Sequence, residues 1–389
     1  MDYKETLNLP QTDFPMKASL VKKEPEMLAH WEKENLYASM REKFKGRPKF
    51  VFHDGPPYAN GNIHIGHALN KILKDFIVRF MTMKGYDATF VPGWDCHGLP
   101  IEHQVTKEER AKKNTPSKSE IRKLCRVYAK KFVDIQAEEF KRLGICADWE
   151  NPYLTMTFSY EAAIVEELGK FVANGSVYNG LKPVHWCTTC RTALAEAEVE
   201  HADHQSPTIY VKFQVKSGLN GQLGNIDSAK TSFVIWTTTP WTLPANLGVC
   251  LHPKFQYSAV AIDGEVLVVA EELLSRLILE WGVKDYEVLG NCKGSELEEV
   301  VCRHPFIDRD SRIVLGDHVT LEQGTGCVHT APGHGQEDYV VGQKYGLETY
   351  NPVDDGGVFK PEVEEFGGLF VRKANPLIVE KLRTDGSLI

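Results

Sequence analysis

Apolar residues at positions 65, 68, 69, 72, 73, 76, 77, 80 and 81 recur three and four apart, which predicts a helix stopped by Gly85. Before it, 49–53 (Lys-Phe-Val-Phe-His) reads as a short buried strand; after it, 86–91 reads as the next strand. Strand, helix and strand within about 45 residues form a βαβ unit, which implies parallel strands and a right-handed crossover. Ligands of such sheets sit outside the carboxyl ends of the strands. The loops that follow the two strands, 54–62 and 92–98, are rich in Gly, Pro and polar residues, so a site is predicted between them.

Helices are also predicted over 23–44, entered through Pro25 and carrying Leu28, Trp31 and Leu36, over 117–143 and over 159–174. Ser117 caps the second of these, with Glu120 three residues on. From about 205 the texture changes. Short β-rich runs (208–215, 231–236, 257–262, 265–269) alternate with Gly, Asn and Asp turns, and one helix is predicted at 271–281. Residues 206–375 read as a separate, mostly β domain.

Composition excludes little. Charged residues are 25% and hydrophobic residues 42%, as in ordinary globular chains, and no run of about 18 apolar residues occurs. The polar start, MDYKETLNLPQTDF, lacks an apolar signal core, and nine scattered cysteines suit a reducing cytosol. The net charge of −8 argues against a surface coated with nucleic acid. Between Lys107 and Arg142, however, 12 Lys/Arg face 6 Asp/Glu, which reads either as a solvated helix face or as a phosphate contact.

The sharpest local motif, 57–67, lies where strand turns into helix. His64 and His67 are three apart and share one helix face, continued by Lys71 and Lys74 opposite the apolar stripe. A helix N-terminus suits phosphate, imidazoles there can donate to charge developing at an α-phosphate, and Gly66 allows close approach. A dinucleotide fingerprint and a P-loop are both absent. A zinc site lacks a third ligand nearby, and a solvated histidine pair fits the spacing equally well.

The flanking residues resemble a known family. His64-Ile65-Gly66-His67 is similar to the HIGH signature of class I aminoacyl-tRNA synthetases. Residues 53–61 (HDGPPYANG) and 92–102 (PGWDCHGLPIE) resemble the isoleucine branch. So do 236–246 (WTTTPWTLPAN) and 324–339 (GTGCVHTAPGHGQEDY), and the four motifs follow in the same order along all 389 residues. The resemblance implies an α/β fold: the first half of a parallel, Rossmann-like nucleotide-binding sheet with an inserted, mostly β editing domain. It implies residues 1–185 as amino-terminal helix and catalytic half, 186–205 as a partial zinc module, 206–375 as the editing insertion and 376–389 as the start of the return. Isoleucine, ATP with Mg2+ and isoleucine tRNA are the implied substrates, handled by a cytoplasmic monomer. Gly55 and Pro56 would wall the isoleucine pocket, and Asp95 would pair with the substrate ammonium, an alternative being a turn cap after Gly93.

Isoleucine and valine differ by one methylene, and a hydrophobic pocket separates such a pair by only about 1–3 kcal/mol, a magnitude established on this amino-acid pair itself. The resemblance places a second, hydrolytic site in 206–375. Asp338 would anchor the α-ammonium, Thr237, Thr238 and Thr239 would surround the ester, and Asn246 and His329 would add polar groups. Read alone, the threonine run is a strand end. Cys187 and Cys190 have the spacing of a zinc knuckle, while His201 and His204 are spaced too short for a finger. The resemblance implies a Zn2+ half-site whose remaining ligands lie beyond Ile389. A Lys-Met-Ser-Lys-Ser loop and an anticodon-binding domain, both family features, do not occur in the 389 residues; Ser117-Lys118-Ser119 reads as a helix cap. A truncated ligase is therefore expected, the alternatives being a stand-alone proofreading deacylase or a tRNA-binding fragment.

Overall fold

A computed structural model describes residues 3–8, 12, 13 and 17–389. The polar start read above lies partly outside them. The chain divides into two compact units, 1–178 and 179–389. Among the described residues no helix is long and apolar enough to cross a membrane.

The first unit runs α1 (Leu20–Lys33), α2 (Leu36–Phe44), β1 (Lys49–Phe52), α3 (Ile65–Met83), β2 (Asp87–Phe90), β3 (Gly93–Trp94), α4 (Leu99–Ala111), α5 (Lys118–Arg142), β4 (Tyr153–Leu154) and α6 (Phe158–Ala173). The single helix expected over 23–44 is two, because Asn35 takes a left-handed conformation (φ 48°) and starts the second. β1 and β2 are parallel, in register from Lys49 opposite Asp87 to Phe52 opposite Phe90, with α3 between them in sequence. β1 is not the buried strand expected: Phe50 and Phe52 pack on the core while Val51 stays 83% exposed.

α3 is also turned against its pattern. Its buried positions are Lys71, Asp75, Val78 and Thr82. The apolar stripe points outward, with Leu69 60% and Phe76 61% exposed. The reason lies beneath the helix, where the fully buried Asp54 draws in Lys71 and Lys74. The core of this unit is built on Phe90, Trp94, Val133 and Phe140. α5 starts on the capping box foreseen, with the Glu120 N–H donated to the Ser117 hydroxyl and the Ser117 N–H to the Glu120 carboxylate.

The second unit opens with a hairpin, β5 (Trp186–Cys187) and β6 (Thr192–Ala193). It continues through β7 (Ile209–Ser217), β8 (Thr231–Thr237), β9 (Gly248–Leu251), β10 (Gln256–Ile262), β11 (Glu265–Ala270), α7 (Leu274–Glu280), β12 (Glu287–Lys293), β13 (Val301–Arg303), β14 (Asp310–Leu315), β15 (Cys327–Thr330), α8 (Gln336–Tyr345) and α9 (Val371–Thr384). Nine strands form one sheet in the order β12-β10-β11-β8-β7-β13-β14-β9-β15. The sheet is mixed, since β8 runs parallel to β11 and β9 to β14 while the other pairs are antiparallel. α9 crosses the boundary drawn at 375 and buries Ala374, Ile378 and Leu382 in the same core as Phe213 and Phe233. The chain then returns to β7, where the Lys212 N–H donates to the Ser387 carbonyl at 2.8 Å.

Candidate functional sites

The two loops predicted to frame a site meet. The Asp95 N–H donates to the Pro57 carbonyl at 2.8 Å, and the Ala59 N–H donates to the Asp95 carbonyl at 2.9 Å. Gln136, fully buried on α5, donates to the carbonyls of Tyr58 and Gly61 and accepts from the Trp94 indole, so one side chain holds both loops. Asp54 ties in the helix as well: besides the two lysines it accepts the Gly93 N–H at 3.0 Å. Gly93 has no alternative there, because a Cβ would lie 2.0 Å from the Tyr153 ring. Burial pushes the Lys71 ammonium below its usual range despite Asp54, and pushes the Tyr153 phenol up to about 12. Neither Asp54 nor Gln136 was singled out from sequence. The two lysines three apart were, but as a continuation of the polar stripe that carries the histidines.

His64 and His67 come together, although His64 is the cap of α3 rather than part of it. Their rings stack at 3.9 Å. Each Nδ1 accepts a backbone N–H, that of Gly66 for His64 and that of His64 for His67. Among the described residues neither Nε2 has a hydrogen-bond partner. Gly66 makes room for this: a Cβ there would lie 2.9 Å from the His64 ring. Burial and then His64 lower the His67 pKa, so His67 is neutral at pH 7. The preceding loop is fixed from α5, where Glu139 accepts the Ile63 N–H at 2.8 Å.

Gly55 and Pro56 follow Asp54 directly, and a Cβ on Gly55 would sit 3.7 Å from the Lys74 ammonium. The Asp95 carboxylate accepts the His97 N–H at 3.2 Å and pairs with no cation among the described residues. It therefore fills the turn-capping role and keeps a negative charge to offer.

In the second unit, residues distant in sequence form one hydrogen-bonded chain. The Asn246 amide donates to the Gly248 carbonyl, which fixes its orientation, and to His329 Nδ1 at 2.9 Å. His329 Nε2 must then carry the proton and donate to the Thr242 hydroxyl at 2.9 Å. Thr242 in turn donates to the Thr239 carbonyl, and the Thr239 N–H donates to the Thr237 hydroxyl at 3.1 Å. Ser311 closes the far end on the Asn246 carbonyl oxygen at 2.5 Å. Burial holds His329 neutral, with a pKa down to about 3. It is a donor of fixed tautomer, unable to take a proton near neutral pH. Thr242 and Ser311 were missed from sequence. Thr238 stands outside this chain of bonds, half exposed beside it.

Asp338 lies in the first turn of α8 and accepts the Ala331 N–H at 2.9 Å, just past β15, which carries His329. Burial raises its carboxyl pKa. One carboxylate oxygen is thus structural, and the other accepts no hydrogen bond among the described residues.

Cys187 and Cys190 sit on the β5–β6 hairpin. The Cys190 N–H donates to the Cys187 sulfur at 3.3 Å, and that bond lowers the Cys187 thiol pKa. No group of three or more His, Cys, Asp or Glu arranged to hold a metal ion occurs among the described residues. The pair fits half of a tetrahedral shell and no more.

Residues 26–346 match the family described as tRNA synthetases class I (I, L, M and V). Along its whole length the chain is 57% identical to the isoleucine–tRNA ligase of Syntrophotalea carbinolica, 56% to that of Geobacter sulfurreducens and 55% to that of Natranaerobius thermophilus. It spans 42% of the length of each. A solved structure titled "The crystal structure of GlLeuRS-CP1" overlaps 47% of this chain and 98% of its own, at a TM-score of 0.39 and 16% identity, a likeness too slight to build on. The chain belongs to the class I tRNA synthetases.

Proposed function

We propose that this chain is the part of an isoleucine–tRNA ligase that carries an ATP and isoleucine site in its first unit and a hydrolytic proofreading site in its second. The observation that carries the reading is the match, at 54–57% identity, to isoleucine–tRNA ligases across all 389 residues. In this reading β1, α3 and β2 are the first half of a parallel nucleotide-binding sheet. His64 and His67 aim their free Nε2 atoms at the α-phosphate of ATP, bound with Mg2+. Asp95 holds the isoleucine ammonium, and Gly55 and Pro56 wall its side chain. The nine free cysteines agree with work in the cytosol, where we place the protein as a monomer.

The proofreading site lies in 206–375. The second carboxylate oxygen of Asp338 receives the ammonium of a mischarged valine. The hydroxyls of Thr238 and Thr239 offer donors to the ester and its oxyanion. Neutral His329 supplies no base; with Asn246 it fixes Thr242 and through it the 237–239 turn. The attacking water is therefore not deprotonated by this histidine. Because the nine-stranded sheet and its core are built within 179–389, hydrolysis is the activity to test on the chain alone. Isoleucine tRNA pre-charged with valine should lose valine faster with the chain than in buffer. A folded chain that gives no acceleration would remove the proofreading half of this reading.

Cys187 and Cys190 would give a Zn2+ ion two thiolates, a structural rather than a chemical contribution. With half a shell, zinc should be weak and substoichiometric after dialysis, measured by elemental analysis. One tightly held zinc per chain, lost in Cys187→Ser, would show that other residues complete the site.

A further inference from the structure

A cavity of about 470 Å³ lies in the first unit between the start of α5, the first turn of α4 and the 96–98 loop. Three cations of α5 line it at four-residue intervals, Lys118, Arg122 and Arg126, so they form one row along the helix. They differ in what they already hold. Arg126 is neutralised by Glu161 at 2.5 Å and donates to the Met156 carbonyl, while Glu161 also meets His97 at 3.1 Å. Lys118 and Arg122 form no ion pair among the described residues, and the acid left in the lining is Glu102. Ile101, Pro116 and Ile121 form an apolar part of its wall. The row begins at the N-terminus of α5, where the helix dipole adds to the positive field.

We propose that this cavity binds a phosphate group carried on an organic body, with Lys118 and Arg122 on the phosphate and the apolar wall against the body. A free anion would not need that wall, and the volume is in the range of sites that enclose a small organic ligand. The local excess of positive charge over 107–142 thus has a focus, in a protein whose net charge is −8. The phosphate can belong to a small metabolite or to an RNA strand. The inference does not depend on the function proposed above, since it uses none of the residues assigned there.

The test titrates the full 389-residue chain with inorganic phosphate, followed by calorimetry, and with a fluorescein-labelled ten-nucleotide RNA, followed by anisotropy. Each titration is repeated at several salt concentrations. The double variant Lys118→Ala/Arg122→Ala is compared with Lys130→Ala/Lys131→Ala, which removes the same charge from the same helix outside the cavity. If the phosphate belongs to RNA, the first variant should weaken RNA binding at least about fivefold and lower the salt slope by about 1 for each phosphate no longer neutralised. The second variant should change RNA binding far less. Phosphate binding lost in the first variant alone, with RNA unaffected, would assign the site to a small phosphorylated ligand. Equal losses in both variants, or no binding of either probe, would overturn the proposal; circular dichroism confirms that each variant is folded.

Discussion

Asp338→Ala should slow hydrolysis of valine from isoleucine tRNA by about 30- to 1,000-fold, the rate equivalent of the roughly 2–4 kcal/mol lost when one partner of a desolvated charge pair is removed. Two effects add in this variant. The substrate ammonium loses its counter-charge, and the Ala331 N–H loses its acceptor, so the turn after β15 loosens. Asp338→Asn separates them, since its amide oxygen can still accept from Ala331 while carrying no charge. A common loss in both variants would place the effect on charge, and a loss in the alanine variant only would place it on the turn. Activity equal to wild type in a folded Asp338→Ala chain would show that the hydrolytic site lies elsewhere. The pH profile carries the same information. The anchor works only when ionised, and burial raises its pKa, so activity should begin to fall on acidification at a higher pH than an ordinary carboxylate would give.

Asp54→Ala should unfold the first unit under conditions where the second stays folded. Lys71 and Lys74 would keep their charges beneath α3 with no acid to meet them, and breaking such a pair costs about 3–5 kcal/mol. That is a large share of the roughly 5–15 kcal/mol that holds a domain together. Hydrogen exchange resolves the outcome by segment: amides of β1 and α3 should lose protection while those of the nine-stranded sheet keep it. The penalty also has a sign with pH. The Lys71 pKa is already depressed in the fold and would drop further without Asp54, so the destabilisation is full below that depressed value. It fades as pH rises towards the lysine value of 10.5, where the unfolded chain also sheds the proton. Protection in α3 equal to wild type at pH 7 would show that the lysines escape to water instead.

Much of this was legible in the residues, and the failures have physical causes. Strong periodicity gave α3, α5 and α6, and the turn-bounded β runs gave β7, β8, β10 and β11. The parallel pairing of β1 with β2 and the meeting of their loops followed from the order of elements alone. α4 was missed because, among its 13 residues, only Ile101, Val105 and Glu109 are buried, too sparse a stripe to stand out. β9 was missed for the opposite reason, being buried at every position and therefore without alternation. Periodicity also finds a face without saying which way it points: α3 presents its polar side to the protein because of Asp54, seventeen residues before Lys71. At the sites, motif residues were legible but their connectors were not. Thr242, Ser311 and Gln136 act through contacts that only the folded chain creates.

The outward stripe of α3 has a calorimetric consequence. Unfolding raises the heat capacity because buried apolar groups become hydrated, about 12–15 cal/mol/K for each residue in an ordinary domain. Leu69, Phe76 and Phe80 are already at least half hydrated in the folded first unit, as are Ile164 and Val165 on α6. Their transfer contributes little when that unit melts. Its heat-capacity step and its denaturant sensitivity should therefore both fall below what its length implies, and its stability should vary less steeply with temperature than that of the nine-stranded unit.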